Sequence, residues 1–320
     1  MKHLRDLKSG SGLSALISFL QEEKYKFVTP TPATHSRNNN RRGNESARSL
    51  TDAFGWSRPF PPSLLPSPLF ALLRDSGVIS ECEAGWKSSV RASTLDGDIF
   101  LHSAFPTISP DAVFFGPDTY RFARAIKSNL LSEPRHLRRA LDLGCGSGAG
   151  GVTIAKNSSC RELVLTDIND TALQMTRLNA DAAGLLHVTT VHSDLFADVD
   201  GEFDMIVANP PYLNDPLQRA YRHGGGELGS AVSVRIAQAA KDRLTPGGTL
   251  LMYTGSPIVE GVDRLLQAIE QDFATSDLRW SYDEIDPDVF GEELETAAYS
   301  HVDRIAATVL TARKPGIPAC

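Results

Sequence analysis

The stretch "RALDLGCGSGAGG", Arg139 to Gly151, decides the fold. It starts as an apolar strand and passes directly into glycines at alternate positions, Gly144, Gly146 and Gly148. Glycine permits a tight turn and lets the backbone approach a ligand at the start of the next helix. From this loop outward the text alternates: "GGVTIAK", "ELVLTD", "TALQMTRLNADAAG", "VTTVHSD", "FDMIVA", "VSVRIAQAAKDRL" and "GGTLLMYTG". Strands and helices in that order predict an α/β, Rossmann-like fold, a parallel sheet covered on both faces. Ligands of such sheets bind beyond the carboxyl ends of the strands, where the connections reverse direction.

The strand ends therefore carry the chemistry. Taken alone, the glycine loop also satisfies a dinucleotide fingerprint, so a nicotinamide-dependent oxidoreductase is one reading of it. The second strand ends at Asp167, placed to accept hydrogen bonds from two ribose hydroxyls. The third ends at Asp194, which suits an adenine amino group or a simple turn. Asp142, just before the loop, separates the cofactors: a carboxylate there opposes a pyrophosphate and attracts the ammonium of a methionine moiety.

The fourth strand, "FDMIVANPPYLND", Phe203 to Asp215, runs into an asparagine, two prolines and a tyrosine. A planar nitrogen delocalises its lone pair and must be oriented before it attacks a methyl group. The Asn209 side-chain oxygen and the Pro210 carbonyl supply two acceptors for its N–H groups. Pro210 and Pro211 stiffen that carbonyl, and Tyr212 offers an aromatic face to the charge that develops on nitrogen.

"ALDLGCGSG", "LTDIND", "HSDLF" and "NPPY", in this order, resemble the class I S-adenosylmethionine-dependent methyltransferases, from about Phe114 to the C-terminus. The last motif narrows the resemblance to enzymes that methylate planar nitrogen. It implies S-adenosylmethionine as cofactor, with Asp142, Gly144, Gly146 and Gly148 at the methionine end, Asp167 at the ribose, and Asp194 with Leu195 around the adenine. The sequence is most similar to the protein glutamine N5-methyltransferases that act on release factors. Their "P-D-T" element has a counterpart in Pro117, Asp118 and Thr119, which brings Thr119 to the cofactor side, and a glycine-rich segment, "YRHGGGELG", follows the catalytic motif. The chain differs from that group at Gly116, where an arginine is usual, at Tyr120, where a glutamate is usual, and in "LMYTG", which lacks an acid.

The formal net charge of −7 disfavours duplex nucleic acid as partner, although the first fifty residues are basic. "YDEIDPDVFGEELE" holds seven acids and no base, and its position between the last two strands makes Glu292 and Glu293 candidates to meet a cationic acceptor. Pro211 and His223 are the other candidates for the acceptor side. The expected acceptor is an amide or guanidino nitrogen, as in glutamine or arginine, free or within a peptide. The alternative is the exocyclic amine of a nucleic-acid base, flipped out of its stack. Three regions are expected: a basic, partly disordered segment over 1–50 with a linker in "TPATHSRNNNRRGNESARS", an accessory substrate domain over 51–112, and the catalytic domain over 113–320. The four cysteines form no CxxC pair, which argues against a metal site, and no apolar run reaches the roughly 20 residues of a membrane span. Reduced thiols and a start without a signal-peptide pattern point to the cytoplasm.

Overall fold

The computed structural model describes residues 7–185 and 188–316; the first six residues of the basic segment, and Cys320, lie outside them. The amino-terminal part holds α1 (Leu7–Glu22), α2 (Pro32–Asn39), α3 (Leu50–Phe54) and α4 (Ser67–Asp75). Two antiparallel hairpins follow, β1 (Ile79–Cys82) with β2 (Gly85–Ser88), and β3 (Val90–Leu95) with β4 (Asp98–Ser103). Asp96 and Gly97 turn the second hairpin with positive φ at both positions, as an Asp-Gly turn requires.

The polar stretch read as a linker is instead structured, and the reason is hydrogen bonding rather than an apolar face. Thr31 caps α2 with its side chain, and Pro32 starts the helix. The asparagines then form a socket for buried Arg58, which donates to Asn38 at 2.6 Å, Asn39 at 3.0 Å and Asp52 at 2.5 Å. Leu13, Leu16, Ile17 and Leu20 of α1 share one core with Phe54, Phe60, Val90 and Leu101. Segments expected as two units therefore bury a common apolar interior.

The catalytic half contains α5 (Pro117–Ser132), β5 (His136–Leu143), α6 (Ala149–Asn157), β6 (Ser159–Asp167), α7 (Asp170–Ala182), β7 (Val188–His192) and β8 (Phe203–Ala208). It continues through α8 (Ala231–Arg243), β9 (Leu244–Val259), β10 (Val262–Asp263), α9 (Arg264–Phe273), β11 (Arg279–Asp286) and β12 (Arg304–Arg313). The sheet runs β11-β12-β9-β8-β5-β6-β7, with parallel pairing from β9 through β7 and antiparallel pairing of β12 and β11 at the other edge. Leu141 and Leu143 of β5 and Met205 to Ala208 of β8 are fully buried, which is why these strands read as unbroken apolar runs. The chain moves outward from β5 to β7, then returns to place β8 on the other side of β5. That reversal opens the crevice where ligands bind.

The two halves are pinned at Asn179 on α7. Its buried amide donates to the carbonyls of Leu101 on β4 and Ser147 in the glycine loop, both at 2.9 Å, and accepts from the Leu101 N–H at 2.8 Å. Ala172 and Met175 of the same helix complete the amino-terminal core. The glycine loop is thus held from outside the catalytic half.

Candidate active site

Glycine conformation builds the first wall of the crevice. Gly144, Gly146 and Gly148 all have positive φ, and a Cβ on Gly144 or Gly146 would meet nothing within 4 Å, so the loop leaves open space beside it. Asp142, at the end of β5, is buried and accepts the Gly151 N–H at 2.7 Å. The carboxylate lies so close to α6 that a Cβ on Gly150 would stand 2.7 Å from one of its oxygens. Asp167, at the end of β6, accepts from the backbone N–H groups of Gly146 at 3.0 Å and Asn169 at 2.9 Å. Burial raises both carboxyls, Asp142 to about 7, and the Asp167 charge pushes Asp142 the same way. Asp142 and Asp167 face one cavity whose lining guanidinium, Arg222, is already paired with Glu293, and together they create a negative field suited to a positively charged ligand.

The second wall is the end of β8. Asn209 to Leu213 line the same cavity as Asp142 and Asp167, about 970 Å³ of empty space including its open mouth. The Asn209 side chain has no hydrogen-bond partner among the described residues, whereas Tyr212 is buried edge-on to Tyr253 and Phe290. A Cβ on Gly255 would stand 2.3 Å from the Tyr212 ring, so only glycine leaves room for it. The glycine-rich segment packs from behind: a Cβ on Gly224 would sit 2.5 Å from the Pro211 carbonyl and 1.8 Å from that of Gly229. Asn214 N–H donates to the Tyr299 hydroxyl at 2.7 Å, closing the turn.

Asp118, which had no assigned role in the sequence, is buried and lines the same cavity. It accepts from the Tyr253 hydroxyl at 2.5 Å and faces Arg121 at 3.4 Å, which in turn meets Asp286 at 2.7 Å. Burial raises its carboxyl, and burial followed by the Asp118 charge raises the phenols of Tyr212 and Tyr253 well above the usual range. The departures at 116 and 120 also find causes. A Cβ on Gly116 would strike the Phe114 ring at 2.5 Å, and the Tyr120 hydroxyl accepts the Thr29 N–H at 3.1 Å, anchoring the amino-terminal half. Phe114 stacks on Tyr221 with ring centroids 5.8 Å apart, and the Tyr221 hydroxyl donates to the Thr107 carbonyl at 2.8 Å. Tyr221, Arg222 and Phe290 therefore join the cavity as residues that sequence reasoning missed, since no motif marks them.

The structure brings together Thr119, Asp142, Gly144, Gly146, Asp167, Asn209, Pro210, Pro211 and Tyr212 at this cavity. Gly148 serves the turn as the left-handed N-cap of α6. Asp194 and Leu195 stand apart from the cavity lining: Asp194 is exposed and pairs with Arg235 at 3.3 Å, because β7 is the edge strand and its end opens to solvent. His223 uses its ring to accept the Asp215 N–H at 3.2 Å, a turn-stabilising contact away from the cavity. Glu293 is buried in an ion pair with Arg222, so its charge is already matched, and Glu292 is exposed. The acidic run divides: Asp283 to Asp286 belong to β11, and only the remainder lies in the connection to β12. Among the described residues no group of three or more His, Cys, Asp or Glu side chains is placed to hold a metal, and no helix is long and apolar enough to cross a membrane.

Residues 119–273 match the family model of the methyltransferase small domain. This segment resembles a methyltransferase small domain. It spans β5 through β8, both carboxyls and the Asn209 turn. The chain is similar to the release factor glutamine methyltransferase of Koribacter versatilis, 33% identical over 174 residues, covering 50% of this chain and 61% of that protein. It is similar also to the ribosomal RNA small subunit methyltransferase C of Actinobacillus pleuropneumoniae, 35% identical over 139 residues, 43% of this chain and 39% of that protein. A solved 16S rRNA N2 G1207 methyltransferase from T. thermophilus matches at 20% identity with a TM-score of 0.46, over 76% of this chain and 61% of that one. The chain spans less than two thirds of the length of these relatives. The matched segment carries the crevice except for the side contributed by Ala112, Val113, Phe114, Asp118 and Phe290.

Proposed function

We propose that this chain is an S-adenosylmethionine-dependent N-methyltransferase acting on a planar nitrogen. The observation that carries the reading is Asn209: a side-chain amide without a partner among the described residues, lining one cavity with the carboxyls Asp142 and Asp167. The residues fit the cofactor. Asp142 spends one hydrogen bond on Gly151 and keeps acceptor capacity for an ammonium, and Asp167 keeps capacity for ribose hydroxyls beyond its two backbone bonds. The same negative field opposes the pyrophosphate that an oxidoreductase would need. Gly144, Gly146 and Thr119 complete the proposed cofactor side, while Asp194 and Leu195 are left out of it.

When bound, S-adenosylmethionine supplies an electrophilic methyl group on a sulfonium. The chain's own part is positioning. The Asn209 oxygen and the Pro210 carbonyl each accept one N–H of the acceptor, which turns its lone pair toward the methyl group. Prolines at 210 and 211 limit the freedom that must be frozen out. The buried Tyr212 ring faces the growing positive charge, and Gly224, Gly229 and Gly255 hold that ring and turn in place. The proton leaves nitrogen after transfer, so no strong base is required beforehand.

The proposed acceptor is an amide or guanidino nitrogen of an amino-acid-like molecule, free or in a peptide, in line with the resemblance to release factor glutamine methyltransferase. A base amine is the second reading, favoured by the ribosomal RNA methyltransferase relatives and opposed by the net charge of −7. The free thiols of Cys82, Cys145 and Cys160 support a reducing, cytoplasmic setting. The test is a thermal-shift comparison of S-adenosylmethionine with NADH, followed by mass spectrometry of an amino-acid, peptide and nucleoside panel. Stabilisation by S-adenosylmethionine alone and methyl gain on nitrogen support the reading; preference for NADH ends it.

A further inference from the structure

A second cavity adjoins the first and shares Phe114, Tyr221, Arg222 and Phe290 with it. Its far wall comes from the amino-terminal half, and Arg91 of β3 sits there, 3% exposed. The other two guanidinium groups of this lining are matched: Arg219 pairs with Asp215 at 2.7 Å, and Arg222 pairs with Glu293. Arg91 has no ion pair with any described carboxylate. Its Nε donates to the Ser103 carbonyl at 3.3 Å, its Nη1 donates to His35 Nδ1 at 3.4 Å, and its guanidinium stands 5.9 Å from the centre of the Phe105 ring.

A buried cation costs several kcal/mol unless a counter-charge meets it, and breaking such pairs is among the larger losses known. Neutral partners alone are a poor return for burying Arg91. His35 adds no negative charge: burial and the neighbouring Arg91 hold its imidazole down to about 4, so it is neutral at pH 7. The surroundings instead fix the fork. His35 stacks on Phe105 with ring centroids 4.0 Å apart and binds the Trp56 carbonyl at 2.8 Å, so the groups bracing Arg91 are themselves held. A planar fork held rigid in a cavity is the arrangement that binds carboxylate and phosphate oxygens.

Resting on the methyltransferase reading above, we propose that the methyl acceptor carries an oxyanion, a carboxylate or phosphate, that docks on Arg91 while its nitrogen reaches Asn209 past the Phe114, Tyr221, Arg222 and Phe290 side chains that line both cavities. Arg91 would be a specificity-determining residue, and the acceptor is anionic rather than cationic at this end. Glu292, exposed on the same lining, then favours a single negative charge over a more highly charged chain.

The test uses the full chain saturated with S-adenosylhomocysteine, so that the cofactor's own carboxylate is already seated. Sodium acetate and inorganic phosphate are titrated separately at ionic strength fixed with sodium chloride, and the unfolding temperature is read. At about ten times Kd a bound anion raises Tm by about 2 °C or more, and Arg91→Met abolishes the rise. A response to acetate assigns a carboxylate acceptor and a response to phosphate assigns a phosphorylated one. Neither anion exceeding chloride in the wild type, or an Arg91→Met response equal to wild type, overturns the proposal. Should Arg91→Met lose its response to S-adenosylhomocysteine, Arg91→Lys replaces it, with an expected loss of about tenfold in anion affinity because the charge stays and the fork goes. An absent response to S-adenosylhomocysteine in the wild type would instead count against the methyltransferase reading itself.

Discussion

Replacing Asn179 by alanine tests how the amino-terminal half supports the glycine loop. Three hydrogen bonds leave with the side chain, from Leu101 N–H and to the carbonyls of Leu101 and Ser147. At about 1 kcal/mol each they sum to about 3 kcal/mol, and the small cavity left in a fully buried site adds roughly 1 kcal/mol more. The orphaned Leu101 N–H is the costliest part, because a buried donor without a partner keeps its full desolvation penalty. Urea unfolding followed by tryptophan fluorescence should show the midpoint falling in step with that loss at unchanged m. The loop should also loosen at Ser147, so S-adenosylmethionine affinity should fall with it. A midpoint within about 0.5 kcal/mol of wild type would refute the idea that Asn179 clips the halves together.

Three further outcomes are expected. Burial holds the Asp142 carboxyl up to about 7, against about 4 in an unfolded chain; between those values the native state keeps a proton that the unfolded state has lost, so this group's contribution to stability falls as pH rises. A cationic ligand needs the ionised form, so calorimetry should show S-adenosylmethionine affinity rising about tenfold per pH unit up to about 7 and levelling above, with Asp142→Asn flat throughout. Gly255→Ala pushes a methyl group into the Tyr212 ring, costs about 1–3 kcal/mol as overpacking, and should slow methyl transfer while S-adenosylmethionine affinity stays unchanged. Tyr253→Phe removes the hydroxyl that donates to buried Asp118 and should lower stability by about 2 kcal/mol in the same urea assay; equal midpoints would mean that Asp118 is satisfied elsewhere.

Local patterns made the catalytic half legible. Apolar runs buried on both faces spell out β5 and β8, glycines with positive φ spell out the loop, and Asp142, Asp167 and Asn209 sit at strand ends because that is where a parallel sheet presents side chains. What stayed hidden depends on contacts distant in sequence. The Asn38 and Asn39 region reads as a linker until Arg58, some twenty positions on, fills it with hydrogen bonds. Tyr221 and Arg222 reach the cavity only because the turn after Pro211 folds back, bringing Leu213 and His223 together. The exposure of Asp194 was hidden for a related reason: a strand-end aspartate looks the same on an edge strand as on a central one, and strand order is not written locally. Glu293 read as a free carboxylate because nothing in the local text announces Arg222 as its partner.

The most direct test of the methyl-transfer site is the Asn209→Ala variant incubated with S-adenosylmethionine and either the acceptor panel or cell lysate, with methyl gain read by mass spectrometry. Asn209 has no hydrogen-bond partner among the described residues, so its loss should leave stability and S-adenosylmethionine binding near wild type. The wild-type chain should transfer methyl to nitrogen, and the variant should bind the cofactor yet lose transfer by two orders of magnitude or more, roughly the value of positioning a reacting group. Full turnover by Asn209→Ala, or methyl placed on oxygen or carbon by the wild type, would contradict the account.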